Sequence, residues 1–232
     1  MVDIHTHILP FVDDGSDSYN LSCQMIEDEL AMGVKNIILT PHALRVGMPR
    51  LKKSDYLKQF VEFKNKIENT YQVNLYLGQE ISYHPQIIRY LQNNELITMN
   101  NTSYILLELP FTNMNIDYDE LFYSCSVLNY KVIIAHIERY HYLTYSDMVS
   151  FKKHPVLFQI NSNSIIGLSG HNLKKLSFKM IKNGLVDLIG SDVHAHRRCT
   201  LALAYKTVVK KFDSVTANRL FIDNPRILFN IK

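Results

Sequence analysis

Seven short apolar runs, each rich in β-branched or aromatic residues, recur along the chain and alternate with longer segments of helical period. Apolar runs of this length between helical segments are typical of repeated βα units, whose strands pair in parallel. The pattern therefore predicts an α/β fold with a parallel barrel or a barrel-like sheet. The predicted strands are VDI (2–4), NIILT (36–40), VNLYLG (73–78), SYILLEL (103–109), KVIIAH (131–136), VLFQI (156–160) and LVDLIG (185–190).

The segments between these runs predict the helices. A doubly wound sheet would show the same alternation, but the sequence has no glycine-rich GxGxxG or GxxxxGK[ST] loop, and this absence favours the barrel. No linker, internal repeat or low-complexity tract divides residues 1–232, so a single domain is expected. The predicted helices are 19–32, a helix capped by Ser54 with its apolar face at 57–67, and 84–93, 118–128, 172–183 and 200–211.

Charge and hydropathy exclude two classes of protein. Lysine and arginine number 25 against 22 acidic residues, and the net charge of +3 is far from that of a dedicated nucleic-acid binder. The N-terminus carries Asp3 and no basic segment before an apolar run, unlike a secretory signal, and no stretch approaches the roughly 18 apolar residues of a membrane helix. The sequence predicts a cytoplasmic protein with no membrane insertion and no nucleic-acid partner.

The cysteines exclude one kind of phosphatase. A cysteine-dependent tyrosine phosphatase needs a thiolate in a phosphate-binding loop that an arginine closes six positions later. Three cysteines are present, and the residues six positions after them are Glu29, Lys131 and Tyr205. That mechanism is therefore excluded.

Histidines and carboxylates follow six of the predicted strands, at or just past the carboxyl end. Because the carboxyl ends of parallel strands meet at one mouth of a barrel, these side chains should converge there. Such donors suit Mn²⁺, Zn²⁺ or Fe²⁺ better than Mg²⁺, and their number suits two or three ions. The residues are His5, His7, His42, Glu80, Glu108, His136, Asp192 and His194.

Each of these residues also has a structural interpretation when taken alone. A histidine at a strand end can be satisfied by a backbone carbonyl, and Glu80 or Glu108 can cap the following helix. In extended chain, however, residues i and i+2 point to the same side, so His5 and His7 can reach one ion together. A structural explanation must also account for six strand ends independently, so we interpret the set as a metal centre.

Seven short motifs carry a resemblance to a known family. They are HTH at 5–7, DDG at 13–15, PH at 41–42, GQE at 78–80, LLE at 106–108, AHIER at 135–139 and GSDVH at 190–194. Over essentially the whole chain, they resemble the polymerase and histidinol phosphatase (PHP) superfamily. With AHIERY and FIDNPR (221–226), the chain is similar to the bacterial tyrosine phosphatases encoded with capsule and exopolysaccharide machinery.

The resemblance implies a distorted (β/α)₇ TIM-like barrel of PHP type with a trinuclear centre, usually described with Mn²⁺. Asp14 is chosen over Asp13 because the family's acidic ligand immediately precedes the glycine, here Gly15. Fe, Zn, Co or Mg are the other ions considered. The implied ligands are His5, His7, Asp14, His42, Glu80, Glu108, His136, Asp192 and His194.

The resemblance also implies two arginines that hold the phosphate. Arg139 matches the first. The second should follow the DxH motif, where Arg197 and Arg198 are adjacent, and counting back from Tyr205 selects Arg197. A solvated surface charge is the alternative for either residue, although a planar bidentate donor suits a phosphoryl group.

The function implied is hydrolysis of phosphotyrosine on protein through a metal-bound hydroxide. The partner implied is a polysaccharide-export tyrosine autokinase, dephosphorylated on its tyrosine-rich tail. One alternative is a small-molecule phosphatase of the same superfamily that acts on histidinol phosphate. Another is a noncatalytic metal-binding PHP module, which predicts missing ligands.

Two further features bear on the substrate. The segment 43–53 should overhang the site, and its basic residues could attract an acidic phosphorylated tail, although a solvated loop is the alternative. Tyr83 and Phe111 could shape a pocket for an aromatic ring, although core packing explains them as well. The basic residues are Arg45, Arg50, Lys52 and Lys53.

Overall fold

The computed structural model describes residues 1–48 and 50–232, so Pro49, in the overhanging segment, lies outside the described residues. Within them, nine strand segments pair in parallel throughout. The strands are β1 (Val2–Thr6), β2 (Asn36–Leu39), β3 (His42–Ala43), β4 (Asn74–Leu77), β5 (Glu80–Ser82), β6 (Tyr104–Glu108), β7 (Lys131–Ile134), β8 (Leu157–Asn161) and β9 (Leu188–Gly190).

The nine segments make seven strand positions around a ring. Strands β2 and β3 are separated only by Thr40 and Pro41, and β4 and β5 only by Gly78 and Gln79. One sheet has the order β1-β2-β4 and the other β3-β5-β6-β7-β8-β9. The ring closes where the His7 N–H donates to the carbonyl of Val193 at 3.0 Å. The predicted parallel, barrel-like α/β fold is confirmed.

Helices surround the strands, in the described residues, at α1 (Tyr19–Ala31), α2 (Lys53–Glu68), α3 (Ile87–Gln92), α4 (Tyr118–Val127), α5 (Tyr145–Phe151), α6 (Ser162–Ile166), α7 (His171–Lys182), α8 (Leu201–Lys211), α9 (Ser214–Asn218) and α10 (Asn224–Leu228). No helix in this part of the chain is both long enough and apolar enough to cross a membrane. The predicted cap at Ser54 is wrong. Helix α2 begins at Lys53, and the Asp55 carboxylate accepts from the Lys52 N–H at 2.9 Å.

The barrel interior is apolar below the carboxyl ends of the strands. Its buried cluster includes Ile38, Leu106 and Leu188. Because side chains alternate along a strand, residues two or four positions further share the inward direction, and these positions include Glu108 and Asp192. The interior core and the predicted ligands therefore lie on the same face of the strands.

Strand β1 needs an irregularity to place its histidines. Ile4 belongs to the interior cluster, and Asp3 lies on the other face, in a group with Glu29 of α1. The pairing of β1 with β2 shifts register between Asp3 and Thr6. A bulge of this kind turns the strand so that His5 also faces inward, next to Gln159 of β8.

A buried acidic cluster lies outside the ring, and we expect it to affect the stability of the fold. The ligand-type atoms of Asp3, Glu29 and Cys199 lie within 4.8 Å of one another, and all three residues are buried. Burial, reinforced by the charge of Asp3, holds the pKa of Glu29 well above its ordinary value of 4.5. Neither carboxyl oxygen of Glu29 has a hydrogen-bond partner in the described residues.

We expect Glu29→Gln to stabilise the fold at alkaline pH. With a raised pKa in the folded state, the wild type keeps its full free energy of unfolding below pH 4.5 and loses stability as the pH rises toward the folded pKa. Glutamine cannot ionise, so the free energy of unfolding of the variant should exceed that of the wild type by about 1–3 kcal/mol at pH 8. Thermal unfolding at pH 5 and pH 8 checks this, with exposed Glu62→Gln as control. If the thermal stability of the wild type and that of Glu29→Gln depended on pH in the same way, the expectation would be contradicted.

Candidate metal centre

Glu80 is the hub of the cluster at the barrel mouth. It begins β5 and is 1% exposed. Its Oε2 lies 3.2 Å from His5 Nε2, 3.2 Å from His7 Nε2 and 3.1 Å from His42 Nδ1. Its Oε1 lies 2.8 Å from His136 Nε2. One carboxylate thus joins four imidazoles from three other strand positions.

The remaining predicted ligands extend this cluster in two directions. Glu108 Oε1 lies 3.7 Å from His136 Nε2 on one side. On the other side, Asp14 Oδ1 lies 3.6 Å from His194 Nε2, and Asp192 Oδ1 lies 3.4 Å from His194 Nδ1. The structure therefore brings all nine predicted ligands into one continuous cluster.

The donor atoms fit divalent ions. Ligand atoms bound at about 2.0–2.2 Å, with angles between a right angle and a tetrahedral angle, lie roughly 3.0–3.4 Å apart. His5 Nε2, His7 Nε2 and Glu80 Oε2 are separated by 3.2–3.3 Å. Three buried carboxylates, Glu80, Glu108 and Asp192, also converge here with the partly exposed Asp14, and bound cations would balance this negative charge. The residues present therefore fit a multinuclear centre.

Asp13 and Asp14 have different surroundings. Asp13 Oδ2 lies 2.7 Å from His7 Nδ1 and accepts the His42 N–H at 3.0 Å. Asp14 is instead partly exposed and forms a group with His7, His42 and His194. Asp13 thus orients His7 from behind, as second carboxylates do for metal-bound histidines, whereas Asp14 is grouped with the other donor atoms at the barrel mouth.

The backbone is unusual at the ligands. His136 and Asp192 adopt positive φ angles of 32° and 54°. Side-chain-bearing residues rarely adopt this region, and such strain concentrates at functional sites. Two glycines approach the HxH segment closely: a Cβ on Gly15 would lie 2.0 Å from the carbonyl oxygen of His7, and one on Gly190 would lie 2.7 Å from the Cβ of His5. The DDG and GSDVH motifs therefore need glycine at these positions.

The protonation states divide the histidines. Burial, aided by nearby His7, lowers the pKa of His42 to about 3, and the same two causes lower the pKa of His194 to about 3. Burial also opposes the charge on His7, but the Asp13 and Glu80 carboxylates together more than offset it and hold the pKa of His7 well above 6.5. His42 and His194 are thus neutral at physiological pH, with lone pairs free for a metal.

Both predicted arginines reach the outer oxygen of Asp192. Arg139 Nη1 lies 3.1 Å and Arg197 Nη1 2.9 Å from Asp192 Oδ2. Arg198 is 89% exposed in its side chain and lies 3.9 Å from Asp28. Phe111 stacks on His136 with ring centroids 5.6 Å apart, and the Arg139 guanidinium lies 4.8 Å from the Phe111 ring centre. Arg197 therefore lies at the cluster, whereas Arg198 points away from it to Asp28. The Phe111 ring also lies beside the cluster.

Sequence reasoning missed two amide side chains on β8. Gln159 Oε1 lies 3.2 Å from His5 Nδ1 and accepts the His136 N–H at 2.7 Å. Gln159 Nε2 donates to Asn161 Oδ1, and Asn161 Nδ2 donates to Asp192 Oδ2, both at 2.8 Å. The only signal was two polar residues in an otherwise apolar strand, VLFQIN.

We expect Gln159→Leu to weaken metal binding by about 10–100-fold, the usual effect of losing an outer partner of a metal ligand. Leucine cannot accept from His5 Nδ1, so the tautomer that frees His5 Nε2 for the metal loses its support. Calorimetric titration of the metal-stripped protein with Mn²⁺ measures the change in metal affinity. Gln86→Leu, in the loop before α3, is the control, and an affinity equal to wild type in both variants would contradict the role of Gln159.

Comparisons with known proteins show the family of this chain. The family model for capsular polysaccharide synthesis, CpsB/CapC, matches residues 1–230. The CapC protein of Staphylococcus aureus is 35% identical over 202 residues, which cover 84% of this chain and 77% of that protein. The tyrosine-protein phosphatase CpsB of Streptococcus agalactiae is 30% identical over 237 residues, 97% of this chain and 96% of CpsB.

Solved structures of other proteins share the fold of this chain. A crystal structure from a study of YwqE of Bacillus subtilis and CpsB of Streptococcus pneumoniae, described there as metal-dependent tyrosine phosphatases, superposes with a TM-score of 0.92 at 28% identity. The superposition covers 100% of this chain and 95% of the chain in that structure. The histidinol phosphate phosphatase of Lactococcus lactis shares the fold at a TM-score of 0.56 and 14% identity, over 95% of this chain and 94% of that one. The chain belongs to the CpsB/CapC family of capsular polysaccharide synthesis proteins.

Proposed function

We propose that the chain is a metal-dependent protein-tyrosine phosphatase of capsular or exopolysaccharide synthesis. The observation that carries the proposal is the nine-residue cluster of imidazoles and carboxylates at one barrel mouth, with Arg139 and Arg197 at its edge. A cluster of this composition and charge suits hydrolysis of a phosphate ester. The CpsB/CapC family membership and the phosphatase relatives support the same reaction.

The ligands proposed for the ions are His5, His7, Asp14, His42, Glu80, Glu108, His136, Asp192 and His194. Two or three ions would share these donors, and Mn²⁺ is the ion proposed, because mixed imidazole and carboxylate ligands suit it. When bound, such ions lower the pKa of water toward neutrality and offset the negative charge of a phosphoryl group. Asp13 and Gln159 hold His7 and His5 in place from behind.

The chain's own residues bind and orient the substrate. Arg139 and Arg197 hold the outer phosphate oxygens, because a guanidinium is a planar bidentate donor that stays charged at every working pH. Phe111, which is half-exposed beside His136, offers a face for the aromatic ring of phosphotyrosine. A phenol with a pKa near 10 leaves more readily than an aliphatic alcohol, so the mechanism requires no strong acid at the leaving group.

The two alternatives predict different observations. A histidinol phosphatase would have an equivalent centre, so substrate preference must separate the two activities. A noncatalytic module predicts that ligand positions are lost, whereas all nine are filled in this chain. The thiol-based route is disfavoured further because burial raises the pKa of Cys125 to about 12 and raises that of Cys199 as well.

The test is a comparison of substrates with Mn²⁺-loaded protein. We expect hydrolysis of a phosphotyrosyl peptide, slow turnover of a phosphoseryl peptide and of histidinol phosphate, and no loss of activity after alkylation of the thiols. Activity on histidinol phosphate alone would move the protein to the small-molecule branch. Inactivity on all three substrates would leave a binding module.

The partner and location are finer proposals. We propose that the substrate is the phosphorylated tyrosine-rich tail of a tyrosine autokinase that controls polysaccharide export. The support is the family's place in capsular polysaccharide synthesis and the sequence resemblance. A cytoplasmic location stays a prediction of the sequence.

A further inference from the structure

A cavity lies beside the centre, and it is separate from the cavity that Arg139 and Arg197 line. Its volume is about 740 Å³, within the roughly 300–1,000 Å³ typical of ligand pockets. Residues 42–46, 48 and 50–54 form one wall, and residues around Tyr90 and Leu96 form the other. His42 belongs to both the cavity and the proposed metal centre, so the two are continuous.

Positive charge dominates the cavity wall. Four cations line it, namely Arg45, Arg50, Lys52 and Lys53, and Glu95 is the one acidic lining residue among those described. Within the described residues, no carboxylate lies within salt-bridge distance of Arg50, Lys52 or Lys53. Their charge is therefore available to a ligand.

Arg45 marks the junction between the cavity and the centre. Its Nη1 lies 3.8 Å from Glu108 Oε1, and its Nη2 lies 3.7 Å from Asp14 Oδ2. Its side chain also contacts the His42 ring. A chain whose phosphate sits at the centre can therefore continue past Arg45 into the cavity.

Two of the other cations contact residues of the opposite wall. Arg50 lies over the Tyr90 ring, 4.8 Å from its centre. Lys53 Nζ donates to the carbonyl and side-chain oxygens of Asn94, the latter at 2.7 Å. Apolar residues, including Leu44 and Leu51, line the cavity beside the cations. A wall that combines apolar and cationic groups is complementary to a peptide that carries acidic side chains.

We infer that this cavity binds the acidic residues that flank the phosphotyrosine of a protein substrate. The inference rests on the proposed function and adds a substrate class to it: phosphotyrosyl segments rich in Asp, Glu or further phosphotyrosine. Charges across a binding rim mainly set encounter rate and specificity. The cavity therefore selects among phosphotyrosyl peptides and leaves the hydrolysis of a small aryl phosphate unaffected.

The test uses the Mn²⁺-loaded full chain and three substrates: a phosphotyrosyl peptide with acidic residues on both sides, the same peptide with neutral residues, and p-nitrophenyl phosphate. The variant is Arg50→Gln/Lys52→Gln/Lys53→Gln, which leaves Arg45 intact. The matched control, Lys206→Gln/Lys210→Gln/Lys211→Gln, removes the same charge from exposed positions of α8 that do not line the cavity.

We expect the wild type to prefer the acidic peptide by about tenfold in kcat/KM at low ionic strength, less in high salt. The cavity variant should lose that preference through KM and keep wild-type kcat/KM on p-nitrophenyl phosphate; the control should keep both. Equal turnover of the two peptides by wild type, or equal losses in the two variants, overturns the inference.

A separate readout distinguishes this inference from the proposed function. If the wild type hydrolyses none of the three substrates, the proposed function fails, and anisotropy of the labelled peptides then tests the cavity by binding alone. Tighter binding of the acidic peptide that the cavity variant abolishes supports the inference. Equal binding of both peptides overturns it.

Discussion

Replacing Glu80 with glutamine should lower kcat on a phosphotyrosyl peptide by at least about 10³-fold and reduce the metal content of the protein. Burial opposes ionisation of Glu80, but the neighbouring imidazoles of His5, His42 and His136 together more than offset it and hold the pKa of Glu80 well below 4.5. Glutamine has nearly the same shape but no charge, so the variant removes the anion that links four imidazoles.

Steady-state kinetics and elemental analysis of the same preparation check this expectation. Glu62→Gln, at an exposed position of α2, is the matched control and should behave as wild type. Circular dichroism separates loss of the centre from loss of the fold. Near-normal kcat and metal content in a folded Glu80→Gln protein would contradict the central role of this residue.

The second large effect is expected at the arginines. Arg139→Ala and Arg197→Ala should each reduce kcat/KM by about 10²-fold, the usual effect of removing one donor to a developing anion. Arg139→Lys should restore only part of the activity, because lysine lacks the planar fork of donors. Kinetics on p-nitrophenyl phosphate measure both changes.

Arg198→Ala is the natural control for this pair, since it is the neighbour of Arg197 and is largely exposed. We expect it to change kcat/KM by less than about twofold, as for other exposed charges. If Arg198→Ala reduced kcat/KM as much as Arg197→Ala or more, Arg197 would not be the second phosphate-binding arginine.

The barrel could be predicted because its strands have a pattern that sequence shows directly. Strands β2, β6 and β7 are buried on both faces over most of their length and read as short apolar runs, and the ligand-type residues follow such runs at the carboxyl ends. The interruption of two strands, at Thr40–Pro41 and at Gly78–Gln79, was not predicted, because apolar runs do not show where pairing changes sheet. Helices α5 and α6, of 7 and 5 residues, are too short for a periodic signal.

The site could be predicted less completely, because several of its parts depend on three-dimensional contacts. The neighbours Asp13 and Asp14 differ in role only through the turn that places one behind His7 and the other near His194. Gln159 and Asn161 lie on a strand with no predicted ligand, and amides in a strand have no spacing that marks them. The cap at Ser54 was wrong because the nearby Asp55 accepts the hydrogen bond at the helix start.

The most direct measurement of the central claim is a titration of metal-stripped protein with Mn²⁺, in which bound ions and the rate of phosphotyrosyl-peptide hydrolysis are recorded together. The account predicts no activity without metal and a rise that reaches its plateau at two or three ions per chain. Full activity in the presence of a chelator, with no bound metal, would contradict it.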